Sequence, residues 1–494
     1  MNSIHSDQKF LMRSTLFTFL GTALKVIAPV LTIVIARTFG KEIFGVYVST
    51  QLLILTLCRV SILGLAKGLH RYLPQNIVCH RTPHEGILSS LRLTLLFALI
   101  ISVVIWVGSF FGLQSVSKGL AMLSSTEISI YALSIIPYAA LLLFAGASEG
   151  NRHPQYKIFI NDFAVTTLAP LIALLLYFIG FTQKLALPTG LFAANVLGVF
   201  VYVFLMNRQF PQLRWFAKEK MPKELLDFSL PLGFSEIVSA FLTRVDLWMV
   251  LALIGSEAAG IYAVMITISN GLKTIRQSYN PILQPVVAGM SKERLTTDLK
   301  PVFSYCVSMV TLIQLTIGFF IVLFPEQTMM IAGKSFITKE NPVAVLGILM
   351  IGNLINGMFG LSGSVINGLG KSKFMFMMNV FSLVFALVLN KLLIPLFGIA
   401  GAAISSMSYQ IMQCIWMNLY LYKMGYWPYK FNLTIQGFWI ISLTVLYALL
   451  NYSLDLSLGI KAAIYGIVLL LIASTFVIQG LAGEKAKRIF KMKI

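Results

Sequence analysis

Acidic residues are scarce in this chain: 18 Asp and Glu stand against 38 Lys and Arg, a formal net charge of +20. Charge of either sign is also scarce, at 11% of 494 residues, where a soluble domain carries about 25%. A chain this long with so little charge cannot clothe a water-facing surface. The four cysteines, Cys58, Cys79, Cys306 and Cys414, are dispersed. They read as small hydrophobes, not as a disulfide or metal framework. His70, His80 and His84 cluster in one loop and read as solvated. No Walker A run and no HExxH pair is present, which argues against ATP hydrolysis and a zinc-hydrolase site within the chain. No cofactor, metal or catalytic residue is expected, and no enzymatic activity is read from the chain.

What the sequence has in abundance is apolar length. Hydrophobic residues make up 57% and the mean hydropathy is +0.84. Continuous apolar runs recur at 13–36, 43–69, 88–112, 127–148, 158–181, 188–207, 228–254, 258–283, 301–325, 342–366, 374–397, 399–422, 432–452 and 459–482. Each can cross a hydrocarbon core of about 30 Å. The runs do not alternate, which argues against a barrel. The fold class expected is an all-α polytopic membrane protein with about 14 transmembrane helices. With the N-terminus inside, basic residues number about 24 on the cytoplasmic side and about 7 on the other, a strong positive-inside bias. Much of the net charge is therefore topological, and its scatter over short loops argues against nucleic acid. Both termini are expected in the cytoplasm, and no cleavable leader is read at the start.

An internal repeat organises the chain. Gly40, Glu42, Gly45 and Tyr47 recur as Gly255, Glu257, Gly260 and Tyr262, all at an offset of 215. Gly150, Asn161 and Phe163 return as Gly368, Asn379 and Phe381 at an offset of 218. The expected division is a first lobe of helices 1–6 over 1–207, a cytoplasmic linker over 208–227 and a second lobe of helices 7–12 over 228–423. Helices 13–14 and a basic tail then fill 424–494. An even helix number relates the halves by an axis along the membrane normal, and such halves usually enclose a cavity that opens alternately to each side.

Six cations, Lys25, Arg59, Lys67, Arg244, Lys273 and Arg276, fall inside the apolar runs of helices 1, 2, 7 and 8, with Glu236 and Asp246 the only acids at comparable depth. A cation at mid-membrane costs about 2.5–3.5 kcal/mol on insertion scales, so it faces a cavity or a partner. Lys67, near a helix end, reads as snorkelling. Arg244 has Asp246 or Glu236 as an ion-pair partner. Lys25, Arg59, Lys273, Arg276 and Arg244 are the candidate anion-binding set. Asp162 is a candidate for coupling-cation binding or for an ion pair with Arg152 or Lys157. Asn280, Asn353 and Asn356 offer sugar contacts or interhelical hydrogen bonds. Gly64-x-x-x-Gly68 and Gly146-x-x-x-Gly150 read as close-packing motifs.

Ile35-Ala36-Arg37-Thr38-Phe39-Gly40, the Leu63–Pro74 stretch, Arg244-Val245-Asp246 and Pro395-Leu396-Phe397-Gly398 with Gly401 together resemble Wzx-type polysaccharide flippases of the MOP (MATE-like) exporter superfamily. The resemblance runs over essentially the whole chain. It implies a V-shaped pair of six-helix lobes in the bacterial inner membrane. The implied activity is translocation of undecaprenyl-pyrophosphate-linked oligosaccharide, destined for O-antigen, capsule or exopolysaccharide, from the inner to the outer leaflet. Its partners would be membrane lipid and the polymerase and export proteins of the same pathway. In the related lipid II flippase, cations on helices 1, 2 and 8 surround the substrate pyrophosphate, and Lys25, Arg59, Lys273 and Arg276 fall on those helices here. The competing reading is a multidrug cation antiporter, driven by H⁺ or Na⁺, of the same superfamily. That reading predicts buried carboxylates without excess cations, the reverse of the pattern seen.

Overall fold

A computed structural model describes residues 27–78, 85–111, 123–280 (except 152, 216, 218 and 219), 292–333 (except 298), 342–426, 438–446 (except 444) and 457–482, with residues 283, 287 and 336. Every regular element among them is helical. Among the described residues nine helices are long and apolar enough to cross a membrane, or ten if one bent pair is a single span. The all-α polytopic class expected from the apolar runs is the class observed. In hydrocarbon no water satisfies backbone N–H and C=O groups, so a continuously apolar run must bond within itself and become helix.

The duplication is legible in the helix boundaries. Lys41–Ile62 and Ser256–Gln277 are both 22 residues long, and their ends differ by 215 at each terminus (256−41 and 277−62). Ile87–Phe110 corresponds to Leu299–Leu323 at offsets of 212 and 213 (299−87 and 323−110). Packing divides the chain at a different point from the repeat: the compact units are 1–260 and 261–494. The first unit thus takes in the opening helices of the second repeat, Lys223–Leu242 and Val245–Leu253.

Glycine explains that attachment. At Gly45 an added Cβ would overlap the Ser256 carbonyl, and at Gly260 it would overlap the Lys41 carbonyl. Since 256−41 equals 260−45, each residue meets its repeat mate's surroundings, as self-complementary contacts across a two-fold do. Farther along the same side, Gly64 lies on Gly233, where a Cβ would come 2.6 Å from the Gly233 nitrogen, and Gly68 lies on Ser229. The second motif packs elsewhere: Gly146 rests on Ala66, and Gly150 is placed so that a Cβ would stand 2.7 Å from the Leu69 carbonyl. Both motifs are close-packing surfaces, as their spacing suggests.

Several spans are broken. The 43–69 run splits at Leu63 and Gly64, which have φ of 50° and 75°. The 127–148 run breaks at Ser134, between Ser125–Leu133 and Ile135–Gly150. The 228–254 run divides at Thr243–Arg244. Pro342–Phe359 and Ser362–Gly368 meet at a bend of 41°. The fifth span opens with a nine-residue π-helix, Lys157–Val165.

The second unit has its own core. Phe303, Val307, Val310, Leu315, Leu354 and Leu361 are buried together, and Leu458–Ala482 lies on Leu299–Leu323, where the Tyr465 hydroxyl donates to the Thr316 carbonyl at 3.3 Å.

Replacing Gly45 or Gly260 by Leu should lower stability by about 1–3 kcal/mol or more, since backbone must move to admit the side chain. Gly271→Ala, where nothing lies within 4 Å, should be neutral. Thermal unfolding of the purified protein in detergent reads the difference; equal melting of the Leu and Ala variants would contradict the packing.

Candidate functional site

Lys25 lies outside the described residues. Each other cation can be placed within its own unit. In the first, Arg59 is exposed, one turn before the Leu63–Gly64 break. Arg244 is half-buried at the break, in the position just before Val245–Leu253. Asp246 is buried in the first turn of that short helix, its Oδ1 accepting from the Leu247 amide at 2.9 Å. Both residues make further interactions. Lys67 corrects the sequence reading. It does not simply snorkel; its Nζ meets Glu236 Oε1 at 2.6 Å. Glu236, which the sequence offered to Arg244, is held there. The reason is the glycine contact: Gly64 and Gly68 bring the helix against Lys223–Leu242 closely enough for the pair to form. A second ion pair, Lys41–Glu257, flanks the Gly45–Gly260 contact.

In the second unit, Lys273 and Arg276 are half-buried on the last turns of Ser256–Gln277. Arg276 faces the bend in the 342–368 span. Its Nη1 donates to the Gly360 carbonyl at 3.1 Å, while its Nε is buried without a partner. No carboxylate among the described residues pairs with it. A buried donor left unmatched costs about 1–3 kcal/mol, so this guanidinium is a charge held in place with bonding capacity to spare.

The asparagines brace the same bend. Asn353 Nδ2 donates to the Ser269 carbonyl at 3.1 Å, and Asn280 Oδ1 accepts from the Ser364 hydroxyl at 2.6 Å. Together with Arg276–Gly360, these three rungs share one spacing, 84 residues, so the two segments run parallel in fixed register. Asn356 Nδ2 reaches Cys414 Sγ at 3.8 Å. Asn418 joins the bend from the helix Ile399–Lys423, accepting from Ser362 at 2.6 Å and donating to the Phe359 carbonyl at 3.3 Å. Each of the three candidate sugar residues thus already makes an interhelical bond.

Asp162 sits within the π-helix, half-buried. Lys157, one of its two expected partners, bonds Glu149 at 2.9 Å, and Arg152 lies outside the described residues. Beside Asp162, Asn161 accepts from the Tyr202 hydroxyl at 2.6 Å but leaves its Nδ2 buried and unbonded. Asn195 is buried with neither side-chain polar atom bonded. Sequence reasoning missed Asn195, the π-helix and the Gly360 carbonyl, since none carries a charge or motif. Among the described residues no group of His, Cys, Asp and Glu could hold a metal.

A duplicated bundle of long apolar helices defines a multi-pass membrane protein. The chain belongs to the polysaccharide biosynthesis protein family, whose model matches residues 11–292; a MatE model matches 231–392. Among solved structures it is similar to the lipid II flippase MurJ in an inward closed conformation. The TM-score is 0.72 at 14% identity, over 94% of this chain and 99% of that one. It is also similar to an inward-facing multidrug resistance MATE family transporter of the MOP superfamily, with a TM-score of 0.66 at 14% identity over 86% and 96%. A MOP superfamily transporter from Pyrococcus furiosus gives 0.60 at 13% over 88% and 96%. The MOP exporter fold suggested by the sequence resemblance is therefore the fold present. An uncharacterized membrane protein of Methanocaldococcus jannaschii is 25% identical over 191 residues, 37% of this chain; the match spans 42% of that protein's length.

In a double-mutant cycle, Asn280→Ala and Ser364→Ala should be non-additive by about 0.6 kcal/mol and at most about 1.7, the range for hydrogen bonds between membrane helices. Additive effects on thermal unfolding would separate the two side chains.

Proposed function

We propose that the protein is a flippase for an undecaprenyl-pyrophosphate-linked oligosaccharide in the bacterial inner membrane. It would move this lipid from the inner to the outer leaflet by alternating access, in the export of O-antigen, capsule or exopolysaccharide. The observation that carries the reading is Arg276, whose partner among the described residues is a carbonyl and not a carboxylate and whose Nε is buried without one. A pyrophosphate oxygen would satisfy the donors left over, as charge-assisted bonds to phosphate do. Lys25, Arg59, Arg244 and Lys273 are the further cations proposed for binding the anion, and Asn280, Asn353 and Asn356 would add uncharged contacts for sugars. An inside-negative potential favours outward movement of an anion by about 2.3 kcal/mol per charge per 100 mV. Membership of the polysaccharide biosynthesis family and the fold shared with a lipid II flippase support the substrate class.

The competing reading, a cation antiporter, draws on the MatE match and on buried Asp246. The two separate on charge. In reconstituted vesicles, a lipid-linked saccharide bearing pyrophosphate should cross at a rate that responds to an imposed potential, and cells overproducing the protein should not export ethidium above background. Ethidium export without saccharide movement would reverse the assignment.

Arg59→Ala and Arg276→Ala should each abolish glycan export at near-normal protein abundance. Lys at either position should retain part of the activity if a point charge suffices, and less if a bidentate fork is needed. Unchanged export in the double Ala variant would remove the anion site. For orientation, both termini and the 208–223 connection are proposed to be cytoplasmic. A cysteine at Thr182 should then react with an impermeant reagent in intact cells, and one at Lys220 should not; the opposite pattern would invert the topology.

A further inference from the structure

The membrane-facing side of the first unit carries an apolar groove that the transport reading does not use. It lies between Ile87–Phe110, the broken 125–150 span and Gln183–Gln209, and consists of two chambers of about 400 and 360 Å³ that share Leu133 and Ile136. The larger chamber is lined wholly by apolar side chains, and the indole of Trp215 closes one end of it. On Gln183–Gln209 its lining runs from Phe192 to Val203, eleven residues or roughly 16 Å of helix. That is about half of a 30 Å hydrocarbon core, hence the depth of one leaflet.

The Trp215 end is basic. Trp215 has the posture of an interfacial residue: its body lies in the groove while its Nε1 donates to Asn207 Oδ1 at 2.7 Å. Arg214 and Arg208 are exposed beside it. Arg92, next to the lining residue Leu91, donates through Nη2 to the Ala217 carbonyl at 2.5 Å, which ties it over the same end. Neither Ile87–Phe110 nor residues 203–218 contain an acidic residue. A one-leaflet apolar channel ending in exposed guanidinium groups, that of Arg92 tied down, matches a lipid with an acyl chain and an anionic head, whose phosphate arginine recognises by paired N–H donors.

We propose that this groove is a binding site for an anionic glycerophospholipid of the leaflet facing the 208–223 connection. One acyl chain occupies the larger chamber, and the phosphate sits on Arg92 and Arg214. The site is separate from the proposed transport cations and stands whether or not that reading holds. The depth of the chamber favours an acyl chain over a polyprenyl tail, which is much longer than one leaflet.

The test uses the full chain in nanodiscs and the fluorescence of Trp215, isolated by subtracting the spectrum of Trp215→Phe. Phosphatidylglycerol with brominated acyl chains should quench this component at a mole fraction on the order of tenfold lower than brominated phosphatidylcholine. The preference should vanish in R92Q/R214Q, whose changes are at exposed side chains and leave the core intact. Val199→Phe, which fills the chamber, should weaken quenching by both lipids. Equal quenching by the two lipids would mean ordinary annular contact and overturn the proposal, as would a preference that survives R92Q/R214Q. A brominated polyprenyl phosphate that quenches at lower mole fraction than phosphatidylglycerol would also overturn it, by assigning the groove to a carrier lipid.

Discussion

Every backbone N–H and C=O in a hydrocarbon layer must find a partner inside the protein, and this requirement governs where the chain departs from straight helix. Unpaired groups cost several kcal/mol each in lipid, so a break survives only where something bonds the freed groups. At Ser134 the side chain itself turns back to the Ile130 carbonyl at 2.9 Å. At Thr243 the hydroxyl reaches the Ser239 and Ala240 carbonyls, both at 3.0 Å. At Gly360 the carbonyl accepts from the Gly363 amide at 3.2 Å within the bend and from Arg276 outside it at 3.1 Å. Local Ser and Thr patches keep a break self-contained. The Gly360 break adds to its local bond a charged residue of another helix, so the geometry of the bend and the placement of the charge are coupled.

The same coupling holds on the other side of the repeat. Glycine contacts bring helices close enough for backbones to touch, and only then can Lys67 reach Glu236 and Lys41 reach Glu257. Exposed ion pairs contribute little in water, typically about 0–1 kcal/mol. Beside a glycine seam they do something else, since each fixes the sliding register of two helices that small residues alone would leave loosely specified. Two of the lysines in the chain's cationic surplus are thereby neutralised. Arg276 is not, and it is in the remainder that a role for anions is sought.

Much of this was legible in the sequence. The 215-residue offset between Gly45 and Gly260 reports a real reciprocal contact, because only glycine fits where a Cβ would strike a carbonyl. Hydropathy located the spans, because a run's length and apolarity decide membrane crossing whatever it packs against. What escaped was pairing and interruption. Lys67 near a helix end carries the signature of snorkelling, and only the packing of Lys223–Leu242 against it reveals Glu236. The Ser134 break does have a sequence mark, since Pro137 lacks the N–H that the Leu133 carbonyl would accept, whereas no Pro or Gly lies within the π-helix over Lys157–Val165 to mark its change of register. The asparagines carried two meanings in sequence, and the rungs at 84-residue spacing explain why: a side chain that braces a bend has the same composition as one that reads a sugar.

Those rungs also bear on how a guanidinium could serve both structure and transport. Asn353–Ser269 lies seven residues before Arg276–Gly360, and Asn280–Ser364 four residues after it. The arginine is therefore flanked by uncharged hydrogen bonds that hold the register whether or not it is engaged. If Arg276 alone tied the two segments, drawing it toward an anion would leave the Gly360 carbonyl only its local bond to the Gly363 amide and loosen the span. With neutral rungs on both sides, the carbonyl bond can be exchanged for a phosphate oxygen while the two segments stay aligned. A planar fork with five donors can also keep one bond to the carbonyl while others turn to a ligand. An ammonium group lacks that fixed geometry, which gives a physical reason for arginine rather than lysine at this position.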